Sequence, residues 1–504
     1  AVRVEGGTAA QRPPAPTLAA PPSGGFGHQA AASRAVPGFA VRYDVSGIPG
    51  ATGARLEFSA PGPNLYRSLN MVNNQNGSAP DHDGVDSPAT LDRAVSGTRG
   101  TVTLDALSLG LATSLDYDVR VFATGPQGAV IGQASPTSLL AVNDGPAPGG
   151  ATVSSFAIEP GGTSVAATDD SAGGASVYGY DAATGAYGLK LTSDPAAGAH
   201  YDVFGVDPGT RHALVLHMPA SGGALLETYD TTSGREVGQP VDIGSQYYVG
   251  GGRVDAPLHL AAVLVHRKTD NADFVLPLDL ATGALGTPVP LDSPGVPVGQ
   301  YDLLDADSTT GTVYVERVSD FGICFAGLGS GQVAAVNLRA GTVTTTPSGQ
   351  ICAQSLVADQ NGHLDELWYH SFSVNFPGTT ELATIPTSTL TAAPPIAVDH
   401  TQSGVTLAVD GVHQLALVAF NYPPLTSLFQ GTGTFGNNDA TSRLAVVDLK
   451  TGATVGTVTG VETRNGYFGG DLDPAIERSI QLDPATRTGW IYSSDGTQIQ
   501  QFSY

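Results

Sequence analysis

Apolar and polar residues alternate with a period of two along most of this chain. "FAVRYDVSG" (39–47), "ARLEFSA" (54–60) and "GTVTLDALSLGL" (100–111) show it, as does "YDVRVFATGPQGAVIGQAS" (117–135). That period puts successive side chains on opposite faces and predicts half-buried β-strands. Before residue 38 the pattern is missing. "RPPAPTLAAPPSGG" has too little apolar surface to fold alone, so 1–37 reads as an extended Pro/Ala/Gly-rich arm. "NDGPAPGGA" (143–151) is a Gly/Pro-rich break, which divides a β-rich domain at 38–143 from a longer one at 144–504.

The longer part repeats. A turn phrase ending "GYDAATGAYG" (179–188) returns as "ETYDTTSGREVG" (227–238) and "PLDLATGALG" (277–286). Its Asp181, Asp230 and Asp279 stand 49 residues apart. Asn337 and Asp448 hold the same place later, and "IPTSTL" (385–390) is a degenerate copy. A second phrase runs in step, an acid that closes an apolar strand before a turn. It supplies Glu159, Asp207, Asp255, Asp305, Asp359, Asp410 and Asp483. Two turns per unit with strands between them predict four strands per unit, the pattern of β-propeller blades. One such sheet exposes both faces, whereas a closed ring of them buries both. The phrases predict seven units. The last has room for three strands, so "TSLLAV" (137–142) is a candidate to complete it. The alternative places that segment in the preceding domain. The acids themselves read as turn formers, whose carboxylates accept backbone N–H groups.

The two phrases resemble those of seven-bladed propellers with YVTN-like or quinoprotein-like repeats, over about 350 residues. That resemblance implies an architecture shared by lactonases, lyases, dehydrogenases and binding proteins, and so no single activity. Quinoprotein repeats place a Trp after the turn Gly. Here "GAYG", "GREV" and "GALG" stand instead, so a quinone cofactor is not implied. In the domain before, Leu111 and Tyr117 are spaced like the tyrosine corner of fibronectin type III and immunoglobulin-like sandwiches. This resemblance implies a β-sandwich over 38–143.

Composition narrows the classes further. The chain has 504 residues and a formal net charge of −24, with 46 acidic and 22 basic residues. That surface repels nucleic acid and anionic membranes. No apolar run reaches a membrane span of roughly 20 residues. The opening "AVRVEGG" fits a mature, exported form, secreted, periplasmic or held at the cell surface. In such a setting Cys324 and Cys352 are expected to form a disulfide. "APDHDGVDSPATLD" (79–92) offers Asp81, Asp83 and Asp86 as part of a candidate Ca²⁺ loop, although a Glu at its twelfth position is missing.

Chemistry is expected where the repeat stops being regular. "VSDFGICFAGLGSG" (318–331), "HSFSVNFPGTT" (370–380) and "FNYPPLTSLFQGTGTFGNNDATSR" (420–443) interrupt successive units on one face. Their Phe321, Phe325, Phe372, Phe376, Tyr422, Phe429 and Phe435 are candidate contacts for a protein or a sugar face. On the same face His217, His266 and His370 each close a second strand, with His217 and His266 also 49 apart. First strands begin "HYD" (His200, Tyr201, Asp202), "QYD" (Tyr301, Asp302) and "DH" (Asp399, His400). A mouth lined by His, Tyr and Asp is suited to binding a metal or to acid–base catalysis. No phosphate-binding loop, GxSxG, HExxH or dinucleotide Gly fingerprint is present.

The leading expectation is a surface or exported protein that binds a protein, a glycan or further copies of itself. The alternative is a propeller enzyme of lactonase or polysaccharide lyase type, working at the ring's mouth.

Overall fold

The computed structural model describes residues 13–14, 16–19, 38–59, 90–105, 115–135, 138–142, 147–159, 162–170, 172–270, 272–291, 301–307, 309–317, 332–345, 353–370, 379–399, 404–421, 441–458, 480–492 and 499–504. Among these the protein is all-β, interrupted by 3-10 turns. No helix among them is long and apolar enough to cross a membrane. Contacts divide the chain into two compact units. One is Ala1–Gly145 with Gln500–Ser503, and the other is Pro146–Ile499 with Tyr504.

In the first unit, Gly38–Asp44 pairs on one side with Thr17–Ala19 and on the other with Arg99–Asp105. A second sheet runs Thr90–Ser96, Gly53–Ser59, Leu115–Thr124 and Val130–Ile131. Ser138–Val142 also pairs with Leu115–Thr124, so this segment stands in the first unit's sheet. Val41, Tyr43 and Leu104 from one sheet and Leu56, Phe58, Val119 and Val121 from the other share one core. The alternation seen in the sequence produces it: Leu56 and Phe58 are fully buried, whereas Arg55 and Glu57 pair with Asp92 and Arg120 on the other face. Leu111 and the side chain of Tyr117 lie outside the described residues.

Pro146–Ile499 is a succession of antiparallel meanders. The first sheet is Thr152–Ala157, Ser164–Asp169, Ala175–Asp181 and Ala186–Asp194, in that order. The second opens with His200–Asp207, His212–Met218 and Leu225–Asp230, and the third with Tyr247–Asp255, Leu260–Arg267 and Asp273–Asp279. The fourth starts with Tyr301–Asp307 and Thr312–Arg317, the fifth with Ala353–Ala358, His363–His370 and Thr379–Pro386, and the sixth with Gly404–Asp410, Leu415–Asn421 and Thr441–Asp448. Ile480–Asp483 and Thr488–Tyr492 begin the last. Each buries small and branched side chains against its neighbours. Ala213 and Val215 face the first sheet, Leu214 and Leu216 the third, and Ala262 and Leu264 the fourth.

The repeated acids shape the turns. Asp230 Oδ1 accepts the backbone N–H groups of Thr232 and Ser233, both at 2.8 Å. Four residues on, Gly234 takes φ 69°, a left-handed conformation that a Cβ disfavours. Asp181 with Gly185, Asp279 with Gly283, Asn337 with Gly341 and Asp448 with Gly452 repeat this arrangement. In "IPTSTL" Leu390 occupies the left-handed position without glycine's freedom, at φ 49°.

Candidate ligand cleft

First strands from every one of these sheets line a cavity of about 400 Å³. Its polar groups tie one strand to another. Arg253 Nε donates to Asp305 Oδ1 at 3.0 Å, and Asp305 Oδ2 accepts from Ala358 N at 2.8 Å. Gln481 Nε2 donates to Phe156 O at 2.6 Å, and its Oε1 accepts from Ile158 N at 2.7 Å. These bonds hold the walls together.

A second cavity, about 420 Å³, opens between the second and third sheets. Its floor is apolar, with Phe204, Leu216, Met218 and Ala224, and its rim carries His200, Asp202, Tyr247, Tyr248 and Lys268. The run "YYVGGGRV" builds one wall. The strand bulges between Val249 and Gly251, and three glycines let it pass between bulky neighbours. A Cβ on Gly250 would stand 2.9 Å from His266 Nε2, and one on Gly252 would collide with the Phe204 ring. Gly251 lines the cleft itself. Tyr248 is 60% exposed, and Lys268 Nζ lies 4.9 Å from its ring centroid while donating to Gly244 O at 2.5 Å.

On the opposite rim His200 stands between two carboxylates. Its Nδ1 is 3.0 Å from Asp169 Oδ2, and its Nε2 is 3.2 Å from Asp202 Oδ1. Donating hydrogen bonds to Asp169 and Asp202 pushes its pKa up to about 10, so the ring is an imidazolium near neutrality.

The other histidines do not join it. His217 Nδ1 meets Glu227 Oε1 at 2.9 Å and its Nε2 meets Asp194 Oδ2 at 3.1 Å, while its ring stacks on buried Tyr201 at 4.4 Å. Tyr229 donates to Glu227 Oε2 at 2.6 Å and completes a buried chain. Both ring nitrogens of His217 are thus engaged by carboxylates within this chain. His266 is placed differently, despite the 49-residue spacing. Pairing aligns His217 with Val265, because both lie opposite equivalent first-strand positions, Tyr201 and Val249. The extra residue falls in the hairpin between the third sheet's second and third strands. One residue of slip reverses the face. His217 extends the row of Ala213 and Val215, whereas His266 extends that of Ala262 and Leu264, buried with Nδ1 2.6 Å from Asp273 Oδ1.

His370 ends the strand paired with Thr379–Pro386, and Tyr301 and Asp302 begin theirs, but the side chains of all three lie outside the described residues. So do Phe321, Phe325, Phe372, Phe376, Tyr422, Phe429 and Phe435, the cysteines Cys324 and Cys352, and Asp81, Asp83 and Asp86. Among the described residues no three His, Cys, Asp or Glu side chains group so as to hold a metal ion. Of the cleft residues the sequence points to His200 and Asp202, and not to Asp169, Tyr247, Tyr248 or Lys268. The triple glycine beside two tyrosines was the available signal.

No protein-family model matches the sequence, and no curated protein matches it either. Solved structures give distant likenesses. One is from a study of two prolyl endopeptidases and inter-domain dynamics, at 15% identity and TM-score 0.42, covering 76% of this chain and 51% of that one. This chain thus spans about half the length of that relative. A mitotic checkpoint complex chain gives 12% identity and TM-score 0.42, covering 68% of this chain and 84% of its own. An oligogalacturonate lyase in complex with manganese gives 11% and 0.38, covering 70% and 96%.

Proposed function

We propose that Pro146–Ile499 is a seven-bladed β-propeller, that Ala1–Gly145 carries an immunoglobulin- or fibronectin III-like sandwich, and that this exported protein acts by binding a glycan. The observation that carries the binding reading is Tyr248. This residue is 60% exposed at the lip of a formed cleft, beside Lys268 and opposite Asp202 and His200. An exposed aromatic face takes the C–H face of a sugar ring, while flanking charged groups take hydroxyls. With its pKa pushed up to about 10 by the two carboxylates, His200 is a poor general base near neutrality. The aromatic insertions Phe321, Phe325, Phe372, Phe376, Tyr422, Phe429 and Phe435 remain proposed contacts for a protein or for further copies of the chain.

A glycan array followed by calorimetry tests this. The purified protein should retain a polysaccharide, and Tyr248→Ala should weaken that affinity at least tenfold with its melting temperature kept. Equal affinity in Tyr248→Ala would refute the cleft as the site. Release of sugar products during incubation would favour an enzyme instead.

A further inference from the structure

The repeat exposes an anomaly in the fifth sheet. Aligned through their first-strand partners, second strands put Leu214, Ala262, Tyr314 and Leu417 at one position, and the fifth sheet puts Asp365 there. At the next position the others carry Val215, Val263, Val315 and Val418, where the fifth has Glu366. Both acids are buried, at 1% and 0% exposure. Core positions that break a rule kept by the other copies mark functional places.

Asp365 lines a cavity of about 240 Å³ between the fifth and sixth sheets. Its Oδ1 accepts from Thr384 Oγ1 at 2.6 Å, but its Oδ2 has no hydrogen-bond partner among the described residues. A buried carboxylate oxygen without a donor is costly, and a ligand that supplies one removes that cost. The neighbouring acid is already satisfied. Asp359 accepts from the N–H groups of Asn361 and His363 at 2.7 and 3.0 Å, and from His363 Nδ1 at 3.2 Å. The rest of the cavity is chiefly aliphatic: Leu382, Pro394, Ile396 and Leu449.

We propose that this cavity binds a small organic cation, a primary ammonium on a short alkyl body, with Asp365 Oδ2 taking the ammonium and the aliphatic wall taking the chain. The alkyl part suits Leu382 and Ile396, and the head adds the donor that Thr384 alone does not provide. The site is separate from the glycan cleft and does not rest on it.

The test is a thermal-shift and ligand-observed NMR titration of the full chain with n-butylammonium chloride at pH 8. Sodium chloride at equal ionic strength and n-butanol serve as controls. The wild type and Glu366→Gln should show a saturable rise in melting temperature and transfer of magnetisation to the butyl protons. Asp365→Asn, nearly isosteric, should bind at least tenfold more weakly. The proposal is overturned by an undiminished response in Asp365→Asn, by an equal response to n-butanol or sodium chloride, or by no response of the wild type.

Discussion

His200 and Asp169 join the first strand of one sheet to the second strand of the sheet before it, Nδ1 to Oδ2 at 3.0 Å. The contact fixes the mouth of the cleft and makes stability depend on pH in the alkaline direction. An unfolded histidine titrates near 6.5, and this one near 10. The stabilisation is therefore complete below about pH 6.5 and is lost as pH rises through about 10. The melting-temperature gap between wild type and His200→Gln should narrow steadily from pH 6 to pH 10. A gap of constant size would contradict the ion pair.

Asp365 and Glu366 act in the same direction but in a more acidic window. Burial pushes their pKa values up, to about 6 and about 7. The unfolded chain releases these protons first, so stability falls as pH rises from about 4 to about 7. Asp365→Asn should match the wild type near pH 4 and exceed it by about 3 kcal/mol above pH 7, read from urea unfolding.

The pair of His217 and buried Glu227, with Tyr229 on the same carboxylate, predicts strong coupling. Removing one partner leaves a charge without its counterpart, which costs about 3–5 kcal/mol. His217→Ala should approach that loss, and His217→Phe with Glu227→Leu should recover much of it. A double-mutant cycle in guanidinium measures the coupling, and simple additivity would mean that the pair is energetically idle.

Glycine at 252 is needed for space, and at 188 it is not. A Cβ on Gly252 collides with Phe204, whereas one on Gly188 meets only Gly179 O at 3.5 Å. Gly252→Ala should destabilise by about 1–3 kcal/mol and deform the cleft floor, with Gly188→Ala near neutral. Unfolding midpoints of the two variants side by side decide it.

Much of the architecture is legible because its turns are local. Asp230 and Gly234 act within five residues, so their chemistry is written in consecutive letters. The cleft is different in kind. Tyr248 and Lys268 come together only through strand pairing, and Asp202 meets them from another sheet. The 49-residue ruler even misleads at His266, since it counts along the third strands while one hairpin holds an additional residue. The buried acids were visible in "HLDELWYH" as a lapse in alternation, but their meaning appears only when equivalent strands are set side by side.

Gln481 clasps Phe156 and Ile158 across 325 and 323 positions of sequence. The sheets described between them pair strands adjacent in sequence, at small entropic cost, and each can form as soon as its own strands exist. The clasp needs almost the whole second unit. Slow, non-local pairing of this kind sets folding rates. Substituting Gln481 with Ala should therefore act on the last step of assembly, speeding unfolding while leaving the early rise of β-structure unchanged.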